Sequence, residues 1–117
     1  MDYEYNGNLL EDERINQVAN EIVKKYPNIK FKKAKEAAML EGRISSPKTI
    51  NDELNRLYNI MLVNSNKKDI VSLVYKDYLK LLNNNSKEIN KQFIEITNEI
   101  DNYLNSYEEF PIISDYQ

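Results

Sequence analysis

The chain has no cysteine, no histidine and no tryptophan, and only two glycines, three prolines and three arginines among its 117 residues. The missing Cys and His exclude disulfides, thiolate chemistry, zinc centres of the Cys/His type and histidine-based acid–base catalysis. So few breakers leave little room for hairpins or a sandwich and favour long helices. No glycine-rich phosphate-binding loop occurs. No apolar run approaches the ~20 residues that a membrane-spanning helix needs. The start, Met1-Asp2-Tyr3-Glu4-Tyr5, is acidic and lacks the apolar region of a secretory signal, so the expected location is cytoplasmic.

What is present is the composition of a folded domain: 41% hydrophobic and 30% charged residues. The length suits one domain that buries roughly 60% of its unfolded surface. The net charge of −3 is unevenly spread. Acids gather in residues 1–13 and again in the tail, where Glu108, Glu109 and Asp115 lie. Lys24, Lys25, Lys30, Lys32, Lys33 and Lys35 form a basic block.

The apolar spacing predicts an all-α domain of about five helices over residues 1–117, with residues 1–9 as an N-terminal arm and 107–117 as a tail. The first helix runs from about Leu10 to Lys25, on Ile15, Val18 and Ile22, and stops at Tyr26-Pro27. The second runs from about Ile29 or Phe31 to Glu41, with Phe31, Ala34 and Ala38 on one face and Gly42 as its stop. For the third, Ser46 reads as the N-cap and Pro47 as the first helical residue, followed by Ile50, Leu54, Leu57, Met61 and Leu62. The fourth spans about Lys67 to Leu82 and closes on Asn83-Asn84-Asn85. The fifth, with Ser86 as its candidate cap, carries a heptad seam of Ile89, Phe93, Ile96, Ile100 and Tyr103. The last three helices are expected to form a bundle, with the first two attached to it or partly free. A heptad seam serves as core or as a helix–helix interface. Core is the expectation here, and a homo-oligomer through Ile89, Phe93, Ile96 and Ile100 is the alternative.

Glu41 is the position that breaks a local rule. A helix C-terminus carries partial negative charge, which disfavours an acid by about 0.3–1 kcal/mol. The bland account offsets Glu41 with Arg43 or Lys35 on the surface. No histidine, paired buried carboxylates or glycine loop accompanies it. No catalytic residue, metal site or cofactor is therefore expected, and the chain does not read as an enzyme.

The segment from Lys35 to Pro47, KEAAMLEGRISSP, resembles the inhibitory helix of the small antitoxins that silence Fic-family adenylyltransferase toxins. That family's motif is [ST]-x-x-x-E-[GN] on a helix, often with Leu before the acid and Pro a few residues beyond. Leu40, Glu41, Gly42 and Pro47 fit it, and Ala37 stands where the family has Ser or Thr. The resemblance implies that Glu41 enters the toxin's nucleotide site and pairs with the arginine that otherwise binds the ATP γ-phosphate. A carboxylate can take that place because it makes the same bidentate bond to a guanidinium as a phosphate oxygen pair. The resemblance makes Ala37, Ala38, Leu40, Glu41, Gly42 and Arg43 the partner-binding residues and a Fic-family toxin the partner. Two rivals remain: a helical protein–protein adaptor or dimerising bundle, and a small nucleic-acid-binding regulator using the lysine block. The acidic balance and the absence of arginine from that block argue against nucleic acid.

Overall fold

The computed structural model describes residues 2–41, 49–106 and 110–111, and for residues 2–12 and 86 the backbone alone. The described residues form α1 (Asp2–Lys25), α2 (Phe31–Leu40), α3 (Ile50–Val63), α4 (Lys68–Asn84) and α5 (Lys91–Asn105), with a 3-10 turn at Ser86–Glu88 and no strand. The expected all-α class with about five helices is what the chain adopts. Successive helices pack on one another: α2 on α1 and α3, α3 on α4, α4 on α5. Their buried apolar side chains form one continuous cluster that draws on all five. The first two helices are thus part of the same body as the bundle.

α1 starts two turns earlier than expected, so most of the supposed arm is helix. Asp2 and Glu4 stand in its first turn, where acids favour a helix N-terminus. It buries Val18, Ala19 and Ile22 and ends at Tyr26, whose N–H still reaches the Ile22 carbonyl at 2.8 Å before Pro27.

α2 buries Ala34, Ala37 and Ala38. Phe31, expected on that face, is exposed. It lies at the edge where the helix begins, and Ile29 just before it fills the core instead.

α3 is the central element and is buried on nearly every side through Leu54, Asn55, Leu57, Tyr58, Asn59, Ile60 and Met61. Its cap is Thr49, whose hydroxyl accepts the Asp52 N–H at 3.1 Å. The helix therefore begins at Ile50, later than Pro47; Ser46 and Pro47 themselves lie outside the described residues. Asparagines close α3 and α4 by one device. The Asn64 amide donates to the Ile60 carbonyl at 2.9 Å, and the Asn85 amide to the Leu81 carbonyl at 3.0 Å. Each satisfies a carbonyl that the helix end leaves without a partner.

α5 starts after Asn90, which holds the N-cap position without a side-chain capping bond, because Ser86 is taken up in the 3-10 turn. Asn51 of α3 fixes this entry: its amide donates to the Glu88 carbonyl at 3.0 Å and its oxygen accepts the Asn90 N–H at 2.7 Å. Phe93, Ile96 and Ile100 are buried and Ile89 is half-buried against them. The Ile89/Phe93/Ile96/Ile100 face packs into the chain's own core, as the core reading expects, and gives no support to the homo-oligomer alternative. Phenol hydroxyls tie the pair further, Tyr75 to the Thr97 carbonyl at 3.0 Å and Tyr78 to the Phe93 carbonyl at 2.8 Å. From the tail, Phe110 packs between Tyr58 and Tyr103, with ring centroids 5.5 and 5.1 Å away, and the Tyr58 hydroxyl donates to the Pro111 carbonyl.

Candidate functional site

The C-terminal end of α2 brings together the residues that the motif singled out and one that it did not. The backbone N–H of Glu41 closes the last turn on the Ala37 carbonyl at 3.1 Å. Its side chain turns inward and is only 2% exposed. There it meets Arg56 from the second turn of α3. Arg56 Nε donates to Glu41 Oε1 at 3.1 Å and Nη2 to Oε2 at 3.3 Å, a bidentate pair. The third nitrogen, Nη1, donates to Glu21 Oε1 of α1 at 3.2 Å. One guanidinium thus clasps three helices.

This pair supplies what the sequence lacked. Among the described residues Glu41 pairs with an arginine fifteen residues on, Arg56; Arg43, offered by the sequence as its partner, lies outside them. The carboxylate is buried because α2, lined with alanines, lies close enough to α3 for Arg56 to reach it. Removing one member of such a pair is costly, about 3–5 kcal/mol, whereas the pair as a whole adds little over an apolar replacement. Its main effect is on the position of α2.

The remaining motif residues divide. Ala37 and Ala38 are buried against α2's own neighbours, so the close approach that their small size permits is to α1 and α3 rather than to another protein. A hydroxyl at position 37 would enter this apolar contact. Gly42 and Arg43 lie outside the described residues. Leu40 faces solvent at 53% exposure, and Met39 beside it at 61%.

No family model, curated protein or solved structure matches this chain.

Lys30, Lys32 and Lys35 are exposed around the same helix, while Lys33 is engaged by Glu36 at 3.4 Å. The outer surface of α2 is therefore cationic along its length and apolar at its C-terminal end. Arg56 was not legible as a site residue. Its signal was its place on the edge of the third helix's apolar stripe, one residue before Leu57 and four before Ile60, where a charge is half-buried and needs a partner. Among the described residues no helix is long and apolar enough to cross a membrane, and no group of three or more potential ligands is placed to hold a metal ion.

Proposed function

We propose that this chain is a non-catalytic binding protein, an antitoxin of the kind that silences Fic-type AMP-transferring toxins, and that it meets its toxin with the C-terminal end of α2. The observation that carries this reading is the juxtaposition there of two exposed apolar side chains, Met39 and Leu40, with a carboxylate already held in bidentate guanidinium geometry. Met and Leu side by side in water are an anchor of the sort that partner surfaces cover.

In the free chain Arg56 occupies the place that the toxin's γ-phosphate arginine takes in the complex. Exchange of one guanidinium for another conserves the two hydrogen bonds that Arg56 gives Glu41. Arg56 is not stranded by it, because Glu21 still holds Nη1. The lysines on the outer face of α2 call for an acidic wall on the toxin beside the apolar anchor.

The test is co-expression with any neighbouring reading frame that carries a Fic signature (His-x-Phe-x-Asp/Glu-Gly-Asn-Gly-Arg), read as complex formation and as AMP transfer. Met39→Asp with Leu40→Asp is expected to abolish binding and restore AMP transfer. Glu41→Gln, which keeps the shape and removes the charge, is expected to bind and yet fail to inhibit. A Glu41→Gln chain that inhibits as fully as the parent would overturn the role given to the carboxylate. Binding unaffected by the double aspartate variant would overturn the role given to the surface.

A further inference from the structure

Arg56 is shared between two carboxylates that are held unequally. Glu41 takes its Nε and Nη2, at 3.1 and 3.3 Å, and its side chain is 2% exposed. Glu21 takes only Nη1, at 3.2 Å, and its side chain is 51% exposed. Among the described residues no other carboxylate lies within ion-pair distance of Arg56. Glu53, one turn earlier on the same helix, is exposed and makes no bond to it.

One guanidinium neutralises one carboxylate. With two on it, the group carries a net negative charge and the two acids repel each other. Glu21 therefore gains least from Arg56 while Glu41 is bound as well, and gains most once Glu41 has left. There is room for that gain. Glu21 and Arg56 both line a cleft of about 420 Å³ between α1, α3 and α4. A guanidinium released by Glu41 has space there to turn toward Glu21 and make a two-bond pair with it.

For a partner's arginine to reach Glu41, the last turn of α2 has to lift. That breaks the bond from the Glu41 N–H to the Ala37 carbonyl at 3.1 Å. The closed arrangement holds three bonds on Arg56 and a repelling pair of acids. The lifted arrangement holds Arg56 on Glu21 without the repulsion. We infer that Glu21 is a positioning residue of the inhibitory site: it competes with Glu41 for Arg56, and so sets how readily Glu41 is given up to a partner. The inference rests on the role proposed for Glu41. A ligand-competent state that is more populated in the free chain binds at a lower cost. A merely structural Glu21, tying α1 to α3, would act in the opposite sense, because its loss would loosen the closed arrangement.

The experiment is hydrogen exchange of the full chain, followed by NMR. The Glu41 amide is the reporter, and the amides of Val74 and Ile100, both fully buried, are the reference for global unfolding. Glu21→Gln keeps an acceptor for Nη1 and removes the competing charge. It should slow exchange at Glu41 about threefold relative to the reference, the share of one exposed ion pair. Arg56→Lys, which keeps the charge and loses the two-bond geometry, should speed it about tenfold. Glu53→Gln, which removes an acid from the same neighbourhood, should leave it unchanged. Far-UV circular dichroism of each variant checks that the helices persist. Faster or unchanged exchange in Glu21→Gln, or equal slowing by Glu53→Gln, overturns the inference. Inhibition of the co-expressed toxin then tests the link to function, and Glu21→Gln should weaken it about threefold. Slowed exchange with undiminished inhibition would overturn the role proposed for Glu41 and leave the competition at Arg56 standing.

Discussion

α2 and α5 are both peripheral helices docked on the same core, and they are held by opposite means. α5 inserts Phe93, Ile96, Ile100 and Tyr103. Each large apolar side chain so buried contributes about 1.5–3 kcal/mol relative to exposure. α2 inserts three alanines, each with far less apolar area to remove from water. Its position is fixed instead by a charged clasp, with Glu41 on Arg56 and Arg56 on Glu21. The lesson is that the helix with the least hydrophobic attachment is also the one that presents Met39 and Leu40 to solvent. The exposed apolar pair is carried on the element whose own docking depends on direction rather than on area.

The sharpest way to break this comparison is to open the clasp. Arg56→Met removes the bidentate partner of a carboxylate that is 2% exposed, and should cost about 3–5 kcal/mol in urea-induced unfolding. Adding Glu41→Leu to the same chain should recover most of that loss, because the penalty is the stranded charge and not the missing pair. A single Arg56→Met variant as stable as the parent would mean that the alanine contact alone holds α2.

The counterpart in α5 is Ile100→Ala. Ile100 is fully buried, so truncation loses its transfer energy and leaves a cavity, for about 2–5 kcal/mol. The urea midpoint should fall with an unchanged slope, since the surface exposed on unfolding is nearly the same. No second substitution at a neighbouring charge should rescue it, in contrast to the clasp.

The bundle side also carries a pH dependence. Tyr26, Tyr75 and Tyr78 are buried, and burial above all raises each hydroxyl from its ordinary value of 10.0. The charge of Asp77 adds to the effect at Tyr26, and that of Asp101 at Tyr75. The unfolded chain then loses these protons at lower pH than the folded chain. Above pH 10 the folded state binds more protons, so stability is full below that pH and falls as pH rises. Each tyrosine should contribute a loss of about 1.4 kcal/mol per pH unit. Denaturation at a series of alkaline pH values measures the slope, and Tyr78→Phe should reduce it by one tyrosine's share. A slope that Tyr78→Phe leaves unchanged would show that this phenol titrates alike in both states.

Much of the fold was legible because the large apolar residues recur at helical spacing and the breakers are few. The stripes of α3, α4 and α5 are buried for the most part as their spacing requires, but Leu73, whose spacing puts it on the inner face of α4, is 41% exposed, and Ile50, Leu62, Leu81 and Ile89 are half-buried. What escaped was set by contacts between elements far apart in the chain. Asn51 reaches across 39 residues to hold Asn90, and so moves the start of α5 past Ser86. Arg56 reaches back fifteen to Glu41, and so turns an acid that looked uncompensated into a buried one. A motif marks residue types along one helix. It carries no information on whether the next helix covers them, and here α3 covers Ala37, Ala38 and Glu41 but leaves Leu40 open.

The smallest expected effects come from the starts of α2 and α3, and they sharpen the same contrast. α3 begins with a capped turn, Thr49 accepting from Asp52 N–H, and Asp52 and Glu53 stand in its first turn. α2 begins at Lys30 with no side-chain cap and no acid in its first turn. A lysine there also meets the positive end of the helix. Thr49→Ala should therefore lower stability by about 1 kcal/mol. Lys30→Asp, which supplies both a cap and a favourable charge, should raise it by about 0.5–1 kcal/mol. Urea unfolding measures both. If Lys30→Asp leaves stability unchanged, the first turn of α2 is frayed in solution, and the surface that carries Met39 and Leu40 is positioned from the other end of the helix, by the buried Ala37 and Ala38 and by the Glu41–Arg56 clasp.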